Sequence, residues 1–488
     1  MQQSAQDRRR WSALALIVVA QFMVILDVAI VNVALPSIKL DLGFSQSNLQ
    51  WVISAYAIMF GGTLLLGGRL GDLLGRRRLF IAGLSVFSVS SLLCGLAWSE
   101  SSLIAFRAVQ GLGGALLAPA ALALLMTTFA EGRERNIALG VYGAAAGSGA
   151  AAGVLLGGVL TSYFSWPSIF FINVPVGIAA IALTPRLLRE SRADLQHRHF
   201  DFAGAFSVTA GLMLLVYALT RATSDGWATT STIGLLSASA ALVVAFVVIE
   251  LRSAAPLLPM SIFRLRTLTA ANATMALVGA VAFSEFFLLT LYMQDVLEYT
   301  AVQTGVAFLA FALTVVVASN VAQVVVGRIG VSRTLTVGLL ASAVSVAWLT
   351  RLPVDGQYFT DLFPAFILGG AGMGFSFVPV TIASLSGVGR AEAGVASGLV
   401  NTSRQIGGAI GLAAVSAIAA ASTTAYADAH DVTSSSAAAL DHGFQTGLYV
   451  LTGLLVLGAV IAGSFVRPQP APVAALPEPE LETIREAA

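Results

Sequence analysis

The chain has 488 residues, 57% of them hydrophobic and only 10% charged, with a mean hydropathy of +0.86. Soluble domains carry about 25% charged residues, so this composition excludes a water-soluble fold for want of a polar surface. A formal net charge of +1 offers nucleic acid no electrostatic footprint, and the single cysteine, Cys94, leaves no intramolecular disulfide to form.

What remains is an all-α polytopic membrane protein. Fourteen apolar segments reach spanning length: 11–33, 50–70, 79–98, 102–127, 136–160, 165–187, 202–221, 231–251, 269–297, 302–327, 335–351, 360–384, 394–422 and 444–466. Arg8, Arg9 and Arg10 before the first run imitate a signal peptide. The run is too long for a signal's apolar region, however, and no small-residue cleavage site precedes Pro36, so it reads as a membrane helix. The run 269–297 is long enough for a tilt or an interfacial end.

Basic residues set the orientation. With the N-terminus inside, 21 of the 26 Lys and Arg fall on inner loops and tails, and three (Lys39, Arg221, Arg351) fall outside. Arg107 and Arg404 lie within spans. Both termini are therefore expected in the cytoplasm. A polar stretch from about Arg189 to Asp201 separates six helices from eight, and the next two spans carry few polar side chains. The plan is 6 + 2 + 6. Residues 1–190 form one six-helix bundle, 191–260 a linker with two extra helices, and 261–467 a second bundle. Residues 468–488, rich in Pro, Ala and Glu, read as a disordered cytoplasmic tail.

The chemistry rests on a few charges in apolar surroundings. A charged side chain near the bilayer centre costs roughly 2.5–3.5 kcal/mol on insertion scales, and a helix serving only as an anchor has no use for one. Asp27 and Glu285 are the acids read as lying deep in spans, with Asp295 near an outer end. Desolvation disfavours the charged form of a carboxylate, which suits a group that gains and loses protons; the alternative is a locked ion pair or a hydrogen-bonded structural carboxyl. Arg107 stands in the run Arg107 to Gly114, beside Gln110. It keeps its charge and must find a carboxylate, a carbonyl or water. Arg404, in Asn401 to Gln405, lies nearer the inner end of its span.

The inner loop from Gly68 through Asp72, Gly75, Arg76 and Arg77 to Arg78 combines turn glycines with charges of both signs. It reads as a breakable cytoplasmic latch, against the simpler alternative of positive-inside charge alone. Gly149, Gly153 and Gly157 form a stripe that brings two helix backbones close. Aromatic and amide side chains near the buried charges supply candidate substrate-cavity residues: Phe22, Trp51, Tyr56, Gln110, Phe283, Phe287, Tyr292 and Asn401. Such a lining suits an apolar, often cationic ligand. No nucleotide-binding loop occurs, and the four histidines lie in loops or near span ends, so neither ATP hydrolysis nor a metal site finds support.

Taken together, these motifs resemble the major facilitator superfamily, specifically its fourteen-span drug:proton antiporter branch, over about residues 10–467. Leu26 to Pro36 is similar to the branch's first-helix motif, Gly68 to Arg78 to the superfamily's loop motif, and Arg107 to Gly114 to its helix-four motif. Gly398 to Gly411 is similar to a late glycine-rich helix of the branch. The resemblance implies two six-helix bundles plus two extra helices, alternating access, proton coupling through Asp27 and Arg107, and gating by Asp72 and Arg76. Glu285 matches no superfamily-wide motif, and its role rests on burial. Three positions depart from the pattern: Val154 follows Gly153 where a proline is usual, Pro167 follows Trp166 where an arginine is usual, and Leu73 also replaces an arginine.

The expected function is proton-driven export of small hydrophobic or cationic compounds, with the proton as the only coupling ion and no cofactor. A dedicated exporter of one metabolite, lipid or antibiotic, or a proton-coupled importer, is the alternative. A membrane-embedded enzyme or sensor lacks a clustered His, Cys or Ser constellation. The preference for Arg over Lys, with abundant Ala and Gly, suggests a GC-rich bacterium and a monomer in its cytoplasmic membrane.

Overall fold

A backbone in lipid must satisfy its own hydrogen bonds, and this chain does so with helices. The computed structural model describes residues 2–45, 48–129, 133–191, 201–253, 256–258, 260–388 and 393–467, and among these all regular structure is helical. The helices are α1 (Gln2–Leu42), α2 (Trp51–Leu74), α3 (Arg76–Gly95), α4 (Glu100–Thr128), α5 (Arg133–Phe164), α6 (Ser168–Leu187) and α7 (Phe202–Asp225). They continue with α8 (Thr230–Arg252), α9 (Arg266–Leu291), α10 (Ala301–Ile329), α11 (Val331–Leu349), α12 (Phe363–Leu385), α13 (Ala393–His430) and α14 (Ala437–Phe465). All fourteen are long and apolar enough to cross a membrane. An even number of crossings returns both ends to one side, called here the terminal face; the other is the far face. The tail 468–488 lies outside the described residues.

Local chemistry explains where the helices depart from the expected spans. α1 runs on through Pro36 instead of ending near residue 33. α6 breaks after Phe171, because Pro175 lacks the N–H that would bond the Phe171 carbonyl. The long run after Arg266 is two geometries: α9 to Leu291, then a π-helical turn at Tyr292–Val296. Glu250 and Asp441, not read as buried acids from the sequence, both lie inside helices at low exposure. Glu250 accepts the Leu258 N–H at 3.1 Å, and Asp441 accepts from Gln445 Nε2 at 2.8 Å.

Glycines decide which helices touch. The stripe Gly149, Gly153 and Gly157 lays α5 on α1: a Cβ at Gly153 would sit 2.7 Å from Ala29 Cβ, and one at Gly157 would sit 2.7 Å from the Ile30 carbonyl oxygen. α4 runs between α2 and α3 at similar range. A Cβ at Gly111 would collide with the Tyr56 carbonyl, and one at Gly113 would lie 2.6 Å from the Phe87 nitrogen. Without a strong hydrophobic drive between helices in lipid, such close packing is what holds them together.

Helices α1–α6 and α9–α14 meet along two seams. At α2–α13, Thr402 donates to the Gly61 carbonyl at 3.1 Å. At α5–α10, a Cβ on Gly158 would lie 2.9 Å from Val302 Cα, and one on Gly305 would strike the Val154 carbonyl. α7 packs against α2 and α13 through Leu212 and Val216, and α8 packs on α7 with Ser239 donating to the Gly211 carbonyl at 2.8 Å. On the far face Lys39 pairs with Asp295 at 3.2 Å, and Gln294 donates to the Val33 carbonyl at 2.9 Å.

Overpacking a tight contact costs about 1–3 kcal/mol. Gly111→Val is therefore expected to lower the thermal unfolding midpoint in detergent clearly. Gly140→Ala, where the new Cβ meets nothing within 4 Å, should leave the midpoint unchanged.

Candidate functional site

Asp27 and Arg107 meet at the middle of the α1–α6 group. Arg107 Nη1 lies 2.7 Å from Asp27 Oδ2, and the two residues are 1% and 0% exposed. Gln110, one turn along α4, donates to Asp27 Oδ1 at 2.8 Å, and Asn173 at the broken start of α6 donates to the same oxygen at 2.9 Å. Ser91 on α3 accepts from both amides, at 2.6 and 3.1 Å. Arg107 further donates Nε–H to the Val52 carbonyl at 2.9 Å and Nη1–H to Gln110 Oε1 at 2.6 Å. Its guanidinium lies 4.5 Å from the Tyr56 ring centroid and 5.7 Å from that of Phe170.

Each member depends on a close helix approach. The glycines after Gln110 bring α4 onto α2 and α3, and the α5 stripe holds α1 in register. Gly114 leaves room for Phe60, whose ring stacks on Tyr56 at 5.8 Å. The result is a sealed ion pair with a full set of donors. Sequence reading named Asp27, Arg107 and Gln110 but missed Asn173 and Ser91; a lone amide in an apolar span was the available signal.

Glu285 is placed differently. It sits on α9, 6% exposed, and no described residue gives it a hydrogen bond or an ion pair. A carboxyl group in apolar surroundings without a cation can persist by holding its proton.

The loop motif closes on a residue that sequence reading did not name. Gly75 (φ 114°) joins α2 to α3 in a conformation that favours glycine. The Arg77 N–H donates to Glu190 Oε1 at 3.0 Å, and Arg77 Nε and Arg78 Nε lie 3.8 and 3.9 Å from Glu190 Oε2. The Arg76 N–H donates to the Ser191 carbonyl at 3.0 Å. The loop is thus tied to the end of α6. Gly68 lies on the last turns of α2, a Cβ there meeting only Pro119 at 3.8 Å. The Asp72 side chain lies outside the described residues.

The cavity candidates form more than one group, with Phe283 packed against the apolar cluster that holds Trp51. Tyr56 and Gln110 belong to the ion-pair site. Trp51 packs with Leu212 and Val216 of α7 and with Ala409 and Ala413 of α13. Phe22 is half-buried on α1 beside the α5 stripe, its carbonyl oxygen 3.3 Å from a Cβ at Gly149. Phe283 is also half-buried and lies over Gly408, while Asn401 is exposed on α13. Phe287 lines a far-face cavity of about 400 Å³ with Lys39, Asp295 and Ser416. Tyr292 donates to the Pro353 carbonyl at 2.6 Å, a structural bond.

Residues 17–412 match the model described as "Major Facilitator Superfamily". The chain is 42% identical to the puromycin resistance protein pur8 of Streptomyces alboniger, over 93% of this chain and 91% of that one. It is 41% identical to the cephamycin export protein CmcT of Amycolatopsis lactamdurans, over 85% and 86%. It is also 33% identical to the multidrug resistance protein Stp of Mycobacterium tuberculosis, over 84% and 76%. Among solved structures, the fold is similar to the POT family transporter PepTSo, with a TM-score of 0.70 at 13% identity, covering 94% and 97%. It is likewise similar to a bacterial homolog of the human lysosomal transporter Spinster, with a TM-score of 0.67 at 15% identity, covering 95% and 99%.

Removing one partner of a buried pair costs about 3–5 kcal/mol, because the other charge is left uncompensated. Asp27→Asn and Arg107→Gln are each expected to lower stability by that order in detergent unfolding. The double variant should lose less than the sum of the two; additivity would show that the pair does not couple.

Proposed function

The chain belongs to the major facilitator superfamily, and on that premise we propose that it exports hydrophobic drugs or antibiotics across a bacterial cytoplasmic membrane in exchange for protons. The names of its relatives support export. The observation that carries proton coupling is the contrast between two buried acids: Asp27 is fully engaged by a cation and two amides, whereas Glu285 has no partner among the described residues.

Helices α1–α6 and α9–α14 are the two bodies that alternate access between the faces, with α7 and α8 beside them. Both termini lie in the cytoplasm, in keeping with the basic inner loops, so the far face is external. The Lys39–Asp295 pair, the Gln294 contact and the α5–α10 seam close that face in this conformation. Opening it exposes Glu285 to external protons, and the return movement releases the proton inside. Asp27 takes part only when Arg107 moves off it, so the ion pair acts as the state-dependent half of the coupling. The arginines after Gly75 hold the α2–α3 turn to Glu190 and set one closed position of the inner gate.

A second reading, a dedicated exporter of one compound, is supported by two relatives above 40% identity, each named for a single antibiotic.

One proton crossing 100 mV supplies about 2.3 kcal/mol, equivalent to a concentration ratio of about 50. Vesicles holding the wild-type protein should build a gradient of an uncharged dye of that order per proton coupled and lose it with a protonophore. Glu285→Gln should build none while still exchanging dye down a gradient. Undiminished accumulation by Glu285→Gln would remove that residue from the coupling, and a panel of unrelated antibiotics separates broad from dedicated export.

A further inference from the structure

Asp27 and Arg107 cancel each other, which leaves Arg404 over. It stands on α13 nine residues past Val395, about 14 Å along the helix from the terminal-face end of a 36-residue apolar span. Its guanidinium makes no hydrogen bond or ion pair with any described residue, and the residue as a whole is half-buried. A permanent cation at this depth must meet an anion, a dipole or water. Glu285 does not serve. The α9 residue packed against Arg404 is Gly279, where a Cβ would strike the Arg404 carbonyl, and Glu285 lies six residues further along, about 9 Å toward the far face.

The backbone that carries Arg404 is pinned on both sides. Thr402 bonds the Gly61 carbonyl on α2 at 3.1 Å, and Ser403 donates to Asn272 Oδ1 on α9 at 3.0 Å. Asn401, Arg404 and Gly408, three and four residues apart, share one face of α13. Asn401 is exposed at the terminal-face side, and Phe283 lies over Gly408, 2.6 Å from the position of a Cβ, on the far-face side.

We propose that Arg404, with Asn401 beside it, is the anion-recognition point of the substrate path, taking the carboxylate of an amphipathic substrate whose apolar body lies against Phe283. The inference rests on the export reading and narrows it: Arg404 is a cation without a partner among the described residues, so the substrates include carboxylates as well as the cationic compounds that buried acids alone suggested. A guanidinium binds a carboxylate through two parallel charge-assisted bonds, which a neutral ester cannot reproduce.

The test uses the full-length protein in nanodiscs, with dansyl-aminoundecanoic acid and its methyl ester as fluorescent probes. Wild type should bind the acid at least about tenfold more tightly than the ester, from the extra strength of a hydrogen bond to a charged group. Arg404→Gln should remove that preference while the ester binds as before, and Arg404→Lys should keep part of it. No preference in the wild type, or equal weakening of acid and ester in Arg404→Gln with Arg404→Lys fully active on both, would overturn the proposal. Ethidium efflux under a proton gradient is measured in parallel. Efflux without carboxylate preference refutes this inference and leaves export standing, whereas carboxylate preference without efflux does the reverse.

Discussion

Two opposite charges shut away inside a bundle of apolar helices set the terms for the rest of this structure. Arg107 cannot give up its charge, and Asp27 is the carboxylate it finds. The pair is tolerable only with its remaining donors and acceptors satisfied, and the Val52 carbonyl, Gln110, Asn173 and Ser91 do this from four helices. With Asp27 itself on a fifth, one network ties α1, α2, α3, α4 and α6 together. Helices can share so small a network only if their backbones come close, which is why glycines crowd the faces of α4 and α5 that turn toward it. The packing and the electrostatics of this half are one requirement.

The other half is built on different terms. α9 and α13 also press together through glycines, with Cβ positions at Gly407 and Gly411 lying 2.5 and 2.6 Å from the Cα atoms of Ala276 and Ala280. Their charged groups, though, are not gathered into a pair. Glu285 and Arg404 stand on adjacent helices at different depths, each without a partner among the described residues. One half therefore holds a charge pair complete in itself, and the other holds an acid and a cation apart from each other.

Much of this was legible in the sequence because membrane insertion writes a coarse signal. Fourteen spans follow from the need for about 20 apolar residues each, and the importance of Asp27 and Arg107 follows from the cost of placing them in lipid. Their pairing was not legible, since 80 residues separate them and only tertiary structure brings α1 onto α4. Asn173 and Ser91 carry no charge and so raised no alarm. Glu190 lay just past a span, in the polar stretch that separates the first six helices from the rest. Asp441 was missed because α14 begins seven residues before the hydropathy rises, and Glu250 because it sits at the last turn of α8. The aromatic candidates were scattered for a related reason: burial in a membrane core says that a ring is packed, not which neighbour it meets.

The seam between α5 and α10 carries one more consequence. Where Gly158 lies against Val302 and Gly305 against Val154, main chain rests on main chain with no long side chain interposed. Glycine has no rotamers to freeze, so in the proposed cycle parting and rejoining this contact freezes no side chain at the glycines themselves. On that reading the seam is a place where the two halves part easily, as a hinge with bare metal faces swings more freely than one packed with bristles.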